Sequence, residues 1–277
     1  MRTYEFRLYP NREQPRRLSA CLVVSRHSST EMLACEKQHY AEEASFLNRY
    51  DLNKRFAARA GTYVPATTLQ CLSDRLSKAL LTFLKYKHDR WGFPRFRSAN
   101  QSHSILVRQF AKGKDVWLDG RVLRVPGNLG TPIKIKRHRE MAGTPKTCYL
   151  VKPADGQWYA LIVSELPAGP DLSQNAADRP AVGSDVGLKL FLADSDGTTA
   201  PNPGFFRTSQ ASLRRKQRRL CARKKGSRRR RKMARSTAQT HLKIERQRRD
   251  FHFKTAKRYA WRYRTIGVED VNLRGLA

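Results

Sequence analysis

The sequence predicts an α+β protein of more than one domain, with an N-terminal β-barrel interrupted by a helical insertion and an α/β domain behind it. Three observations carry that reading. A short alternating run opens the chain, and a helical stretch follows it. Six β-type runs then crowd into residues 91–166. Beyond a Pro- and Asp-bearing stretch, strand-like segments flank a long basic region.

Thr3 to Tyr9 (TYEFRLY) alternates as a half-buried strand does, and Pro10-Asn11 ends it. From Glu13 to about His88 the period is helical. Leu69, Leu72, Leu76, Leu80 and Leu84 recur at three- and four-residue steps, which predicts one helix with a core-facing stripe. At Trp91 the character shifts to RWGFPRFRS and then to SILVRQF, VWLDG, RVLRVP, PIKIKRH, KTCYLVK and QWYALIVSEL, separated by Gly and Pro. Short strands at this spacing read as a small barrel or sandwich, to which the strand at Thr3 to Tyr9 returns across the insertion. The division is 1–10 with 91–166 for the barrel, 11–90 for the helical insertion, 167–180 (PAGPDLSQNAADRP) for a linker and 181–277 for the second domain.

In that second domain Ala181 to Ala193 reads as a buried strand turning into another, and Asp194-Ser195-Asp196-Gly197 supplies the turn before Thr198. Arg207 to Arg264 then holds 24 Lys and Arg against only Glu245 and Asp250. Its apolar residues Leu213, Leu220, Met233, Leu242, Ile244, Phe251 and Phe253 are sparse. They suffice to seat two long basic helices, joined near Gly226-Ser227, on a sheet. Tyr263 to Val271 is again strand-like.

The whole chain carries 56 Lys and Arg against 23 Asp and Glu, a formal net charge of +33. Such a surface calls for a dense polyanion, and nucleic acid is the leading partner. A membrane partner is disfavoured, because no apolar run of roughly 18 residues exists. The N-terminus alternates charged and apolar residues where a secretory signal needs a continuous apolar stretch, so the expected place is the cytoplasm, at the nucleoid. The five cysteines are scattered singly and the seven histidines lack ligand spacing, so neither set predicts a metal cage.

The expected phosphate-binding residues are Arg214, Arg215, Lys216, Arg218, Arg219, Arg223, Lys224, Lys225, Arg228, Arg229, Arg230, Arg231 and Lys232. A solvated face is the competing reading of the same run. Arg90, Arg95 and Arg97 interleave with Trp91, Phe93 and Phe96. Two readings stand side by side there: the aromatics stack bases while the arginines grip phosphate, or Gly92-Phe93-Pro94 is a turn whose rings plug the barrel.

One carboxylate interrupts the apolar, glycine-flanked run VGSDVGLK: Asp185. Burying an ionised carboxylate costs several kcal/mol unless it is paired or holds a cation. Pairing with Lys189 or an arginine, or capping a turn beside Gly183 and Gly187, is the plain reading. The second embedded acid, Glu269, points elsewhere. Two acids at the ends of apolar strands, separated by a basic helical segment, suit a Mg²⁺-dependent nuclease of the RNase H type, because hard cations prefer carboxylate oxygen. Asp270 follows directly, but successive side chains of a strand face opposite ways. Glu269 is the expected partner, since Ile266 and Val268 alternate with Gly267.

The N-terminal EFRLYPNREQ, central GFPRFRS, GSDVGLK, RRKQRRLCARKKGSRRRRK and terminal IGVEDVNLRGL occur in an order that resembles TnpB, the transposon-encoded RNA-guided DNA nuclease also classed as an OrfB-type transposase. The resemblance covers nearly the whole chain. It implies a wedge-type barrel with a helical recognition insertion, then a RuvC-like domain of RNase H fold, with Asp185 and Glu269 as its first two carboxylates and Mg²⁺ as cofactor. It also implies a guide RNA from the transposon end and a DNA target as partners. This sequence stops at Ala277, eight residues after Glu269, so the family's zinc-binding segment and third RuvC acid are expected to be missing and the RuvC-like domain incomplete. Two further expectations follow: a silent RNA-guided DNA binder of repressor type, or an RNA-binding protein without a guide.

Overall fold

A computed structural model describes residues 1–61, 63–86, 92–96, 98, 103–167 and 178–269. The chain divides into two compact units, Met1–Pro167 and Ala168–Ala277. The residues of the expected linker from 168 to 177 lie outside the described ones.

In the first unit the alternating run forms β1 (Arg2–Tyr9), which buries Tyr4, Phe6 and Leu8 and turns Arg7 and Tyr9 outward. Asn11 ends it by accepting the backbone N–H groups of Glu13 and Gln14 at 3.0 Å each, which starts α1 (Gln14–Glu43). Leu18, Cys21, Ser25, Ser28, Met32 and Glu36 recur along one stripe of α1, the face it buries. Ala44, at φ 52° in the left-handed region, closes the helix. Next come α2 (Arg49–Phe56), a 3₁₀ turn at Ala57–Arg59 and α3 (Ala66–Tyr86). The leucine stripe of α3 is only partly core. Leu69 and Leu80 are buried, whereas Leu84 is 41% exposed.

The six β-type runs become β2 (Ser104–Val107), β3 (Trp117–Asp119), β4 (Val122–Arg124), β5 (Ile133–Lys136), β6 (Thr144–Val151) and β7 (Trp158–Glu165). Together with β1 they make one seven-stranded sheet in the order β2-β6-β7-β1-β5-β4-β3. β1 sits centrally, antiparallel to both β7 and β5, although the whole helical insertion separates it from them in sequence. The sheet curls. The segment after β2 meets the segment before β3 where the Val116 N–H donates to the Gln109 carbonyl at 3.1 Å. Tyr4, Phe6, Ile105, Val107, Leu123, Ile133, Leu150 and Trp158 form the core inside the curl, and Leu18, Cys21 and Leu69 of the helices pack into it. Each such side chain stabilises the unit by about 1.5–3 kcal/mol.

The second unit begins with β8 (Ala181–Asp185), β9 (Leu190–Asp194) and β10 (Thr199–Pro201), an antiparallel meander. Two helices follow, α4 (Phe205–Cys221) and α5 (Arg228–Arg262), and the chain then returns as β11 (Thr265–Val268), parallel to β8. The sheet order is β10-β9-β8-β11. α5 covers one face, where Val182, Leu192, Ala200, Tyr259 and Tyr263 form a small core. Every residue of β11 is exposed.

Candidate functional site

Alternation along β8 buries Val182 and Ser184 and exposes Ala181, Gly183 and Asp185. The buried pair faces α5, so Asp185 stands on the open side of the sheet. This corrects the premise drawn from sequence. The apolar run is covered on one face only, and Asp185 pays no desolvation penalty. Nor does it pair with Lys189 or cap a turn: among the described residues no ion pair or side-chain hydrogen bond holds it.

The parallel register sets Thr265 against Ala181, Ile266 against Val182, Gly267 against Gly183 and Val268 against Ser184. The paired register ends at Val268 and Ser184, and Asp185 and Glu269 are each the next residue along their chain segments, both exposed. Residues in register share a face of the sheet. Gly183 and Gly267 are such a pair, so no side chain stands between the two strands there. Asp270 lies outside the described residues.

Asp194 is the nearest other acid on these strands and is directed elsewhere. It pairs with Ser184, on the helix-covered face. Its Oδ2 accepts the Tyr259 hydroxyl at 2.7 Å and its Oδ1 the Thr198 N–H at 2.7 Å. Asp196 takes the Tyr263 hydroxyl at 2.6 Å. Both tyrosines are pushed up to about 12, Tyr259 by burial first and Tyr263 by its Asp196 hydrogen bond first. These bonds fasten α5 to the β9–β10 hairpin. Among the described residues no group of three or more His, Cys, Asp or Glu forms a metal site.

The basic run forms a helical hairpin. Gly226, at φ 81°, makes the turn, and the Ser227 hydroxyl caps α5 by accepting the Arg230 N–H at 3.1 Å. Three of the expected phosphate ligands serve the hairpin itself, Arg231 by donating to the Gly226 carbonyl at 3.3 Å. Lys216 Nζ donates to Thr240 Oγ1 at 2.6 Å and to the Ser236 carbonyl at 3.3 Å. Arg230 donates to the carbonyls of Leu220 and Arg223 at 2.7 and 3.1 Å, satisfying the C-terminal end of α4. Arg214, Arg215, Arg218, Arg219, Lys224, Lys225, Arg228, Arg229, Arg231 and Lys232 are exposed, and Arg223 is half-buried. Leu213 and Ile244 are buried, but Phe253 is 70% exposed and does not seat the helix.

In the first unit Arg90, Trp91 and Arg97 lie outside the described residues. Phe93 does not plug the barrel. Its ring packs against Phe83 of α3 at 5.2 Å and against Phe46 at 6.0 Å. Lys37 Nζ lies 4.7 Å from the centre of the Phe96 ring, and both Phe96 and Arg95 are exposed.

Sequence reasoning missed a second cationic surface, on the outer face of the curled sheet. Arg7 stands directly opposite Lys136, and Tyr9 opposite Lys134. Tyr9, Lys134 and Lys136 line a groove of about 960 Å³ with Arg121 and Arg137. Like charges facing each other across a ladder are destabilising, and an anionic ligand relieves them. The alternation of TYEFRLY already put Arg7 on the face opposite Phe6.

Residues 1–45 match a family domain described as "Helix-turn-helix domain", and residues 160–277 match the OrfB_IS605 family, described as "Probable transposase". These matches support a protein of the TnpB/OrfB type. Its matched N-terminal segment is nonetheless a strand followed by one long helix, not two helices about a turn. A protein of Streptomyces pristinaespiralis named "Putative RNA-guided DNA endonuclease" is 23% identical over 284 residues, spanning 99% of this chain and 68% of the relative. No helix of the described residues is long and apolar enough to cross a membrane.

Proposed function

We propose that this TnpB/OrfB-type chain is an RNA-guided, DNA-binding nuclease whose phosphodiester chemistry is carried by Asp185 and Glu269. The parallel register of β8 and β11 supports the reading, because each acid is the residue that follows the last aligned pair, Ser184 and Val268. The strand order supports an RNase H-like, RuvC-type domain: a three-stranded antiparallel meander, two helices, then a strand parallel to the first. The approach of the two edges of the seven-stranded sheet supports a wedge-type barrel.

The carboxylates fit Mg²⁺ in chemistry. They are hard oxygen donors, exposed and, among the described residues, in no ion pair, the kind of ligand a divalent ion prefers. Asp185 and Glu269 would hold such an ion, which would supply charge neutralisation at a scissile phosphate. The exposed arginines and lysines of the hairpin, with those around Arg7 and Lys136, grip the phosphate backbones of a transposon-end guide RNA and of target DNA.

A supercoiled plasmid carrying the guide's complement, incubated with guide RNA and Mg²⁺, is expected to be nicked or linearised. Asp185→Ala and Glu269→Ala should abolish cutting and keep RNA binding. A second reading, binding without cutting, is favoured by one observation: the other acid on these strands, Asp194, is turned toward α5 and held by Tyr259. Tight target binding by the wild type with no product would establish that reading and refute the nuclease.

A further inference from the structure

Asp185 is the last residue of β8, and among the described residues no ion pair or side-chain hydrogen bond orients its carboxylate. A side chain that is to hold a metal ion must still be fixed to within about 0.5 Å. That precision has to come from the backbone on either side of Asp185. Two polar side chains provide it, Ser195 before the acid and Asn202 after it.

The β8–β9 ladder pairs Asp185 with Ala193 and Ser184 with Asp194, which sets Gly183 beside Ser195. The Ser195 N–H donates to the Gly183 carbonyl at 2.9 Å. In a regular antiparallel pair the return bond ends on a carbonyl. Here the Gly183 N–H donates instead to the Ser195 hydroxyl at 3.1 Å, where the chain already turns through Asp196 and Gly197. The hydroxyl thus extends the ladder past its last main-chain pair. Beyond Asp185 the chain turns tightly into β9, since a Cβ at Gly187 would lie 3.1 Å from the Leu190 carbonyl oxygen. Leu188 at the turn is 72% exposed, so packing does not hold it. Asn202 does: its Nδ2 donates to the Leu188 carbonyl at 3.0 Å, and its Oδ1 accepts the Gly204 N–H at 3.1 Å. One amide thereby ties the turn to the residue that opens α4.

We infer that Ser195 and Asn202 are positioning residues for Asp185, the first fixing the strand that leads to the acid and the second the turn that leaves it. Neither touches the carboxylate. They act on a divalent ion only through where the backbone places that side chain. The inference rests on the nuclease reading of Asp185 and deepens it by naming what holds the acid in place.

The test measures two midpoints on the whole chain: Mn²⁺ binding without nucleic acid, by electron paramagnetic resonance, and the Mg²⁺ dependence of nicking with guide RNA. Ser195→Ala and Asn202→Ala should each raise both midpoints roughly ten-fold and leave guide-RNA affinity unchanged. Ser195→Thr keeps the hydroxyl and should bind Mn²⁺ as the parent does. Amide hydrogen exchange should speed up at Gly183 in Ser195→Ala and at Gly204 in Asn202→Ala, and circular dichroism confirms that the variants are folded. Lys216→Met weakens the same unit through the helical hairpin, away from β8, and should leave both midpoints in place. Mn²⁺ bound equally by Asp185→Ala and the parent overturns the nuclease reading and this inference with it. If Asp185→Ala loses the ion while Ser195→Ala and Asn202→Ala keep it, the nuclease reading stands and the positioning is overturned. The same holds if Lys216→Met shifts the midpoints as far as they do, since the effect is then one of stability alone.

Discussion

Tyr259→Phe removes one hydroxyl and keeps the ring, which isolates the bond that fastens α5 to its sheet. The ring packs with Val182 and Leu192, so the apolar contact survives. What goes is the 2.7 Å bond to Asp194. A hydrogen bond to a charged group contributes about 1.5–3 kcal/mol net, and the lower end applies here because Asp194 is half-buried and keeps its bond from Thr198. For the unit Ala168–Ala277, about 1.5 kcal/mol corresponds to roughly 6 °C in its transition. Scanning calorimetry of the whole chain should show the transition of the second unit moving by that amount while that of the first stays in place. A double-mutant cycle with Asp194→Ala should return a coupling of about 1 kcal/mol or more, because the Thr198 bond is lost in both arms and cancels. A shift below about 2 °C, or additivity within ~0.3 kcal/mol, would refute the fastening.

Three further outcomes are expected. Gly113 and Gly143 share a left-handed φ, +77° and +78°, but a Cβ at Gly113 meets open space whereas one at Gly143 falls 2.2 Å from the Glu165 carbonyl oxygen. Gly113→Ala should therefore cost about 1–2 kcal/mol in thermal melts, and Gly143→Ala should cost clearly more, through a broken β6–β7 ladder. Alkaline pH should weaken the second unit. Neutral phenols donate to Asp194 and Asp196, and folded values near 12 exceed the ordinary 10, so their contribution is whole below pH 10 and is lost as pH rises through 12. Melts of Tyr259→Phe/Tyr263→Phe across that window should lack the decline. Finally, Lys216→Met should destabilise the hairpin by about 1 kcal/mol and leave the salt dependence of nucleic-acid binding unchanged, whereas exposed Arg219→Ala should do the reverse: stability within ~0.5 kcal/mol and a shallower salt slope.

The local part of this fold is legible in the sequence because its periods are clean. Seven of the alternating runs became strands of one sheet, and the basic region became two helices meeting at Gly226-Ser227. Long-range geometry is legible in one place, the return of the Thr3–Tyr9 strand to the later β-type runs, and elsewhere only by resemblance. Nothing in residues 181–185 states that 265–268 will lie beside them in parallel register, the pairing on which the proposed partnership of Asp185 and Glu269 rests. The errors share a cause. Asp185, Leu84 and Phe253 were each assigned to a buried face from apolar spacing, and spacing gives the side of an element without saying whether anything covers it. Phe93 failed differently, since its ring found Phe83 on a helix that sequence proximity had separated from the barrel runs.

The hairpin shows why so basic a segment folds before it meets a polyanion and why its tip stays suited to one. Arg228 to Arg231 open α5 with no acid in the first turn, where the helix already presents positive potential. Each such cation costs the helix a few tenths of a kcal/mol, and the like charges around them add to that cost. The structure offsets it with the Ser227 cap, with Arg230 on the carbonyls that end α4, and with Lys216 on Thr240. Lys216 and Arg230 are thus taken into the hairpin, while most of the other cations near its tip stay exposed. Phosphates arriving at the tip remove the repulsion and complete the helix terminus at once, and so the surface that is least favourable in the free protein is the one with most to gain on binding.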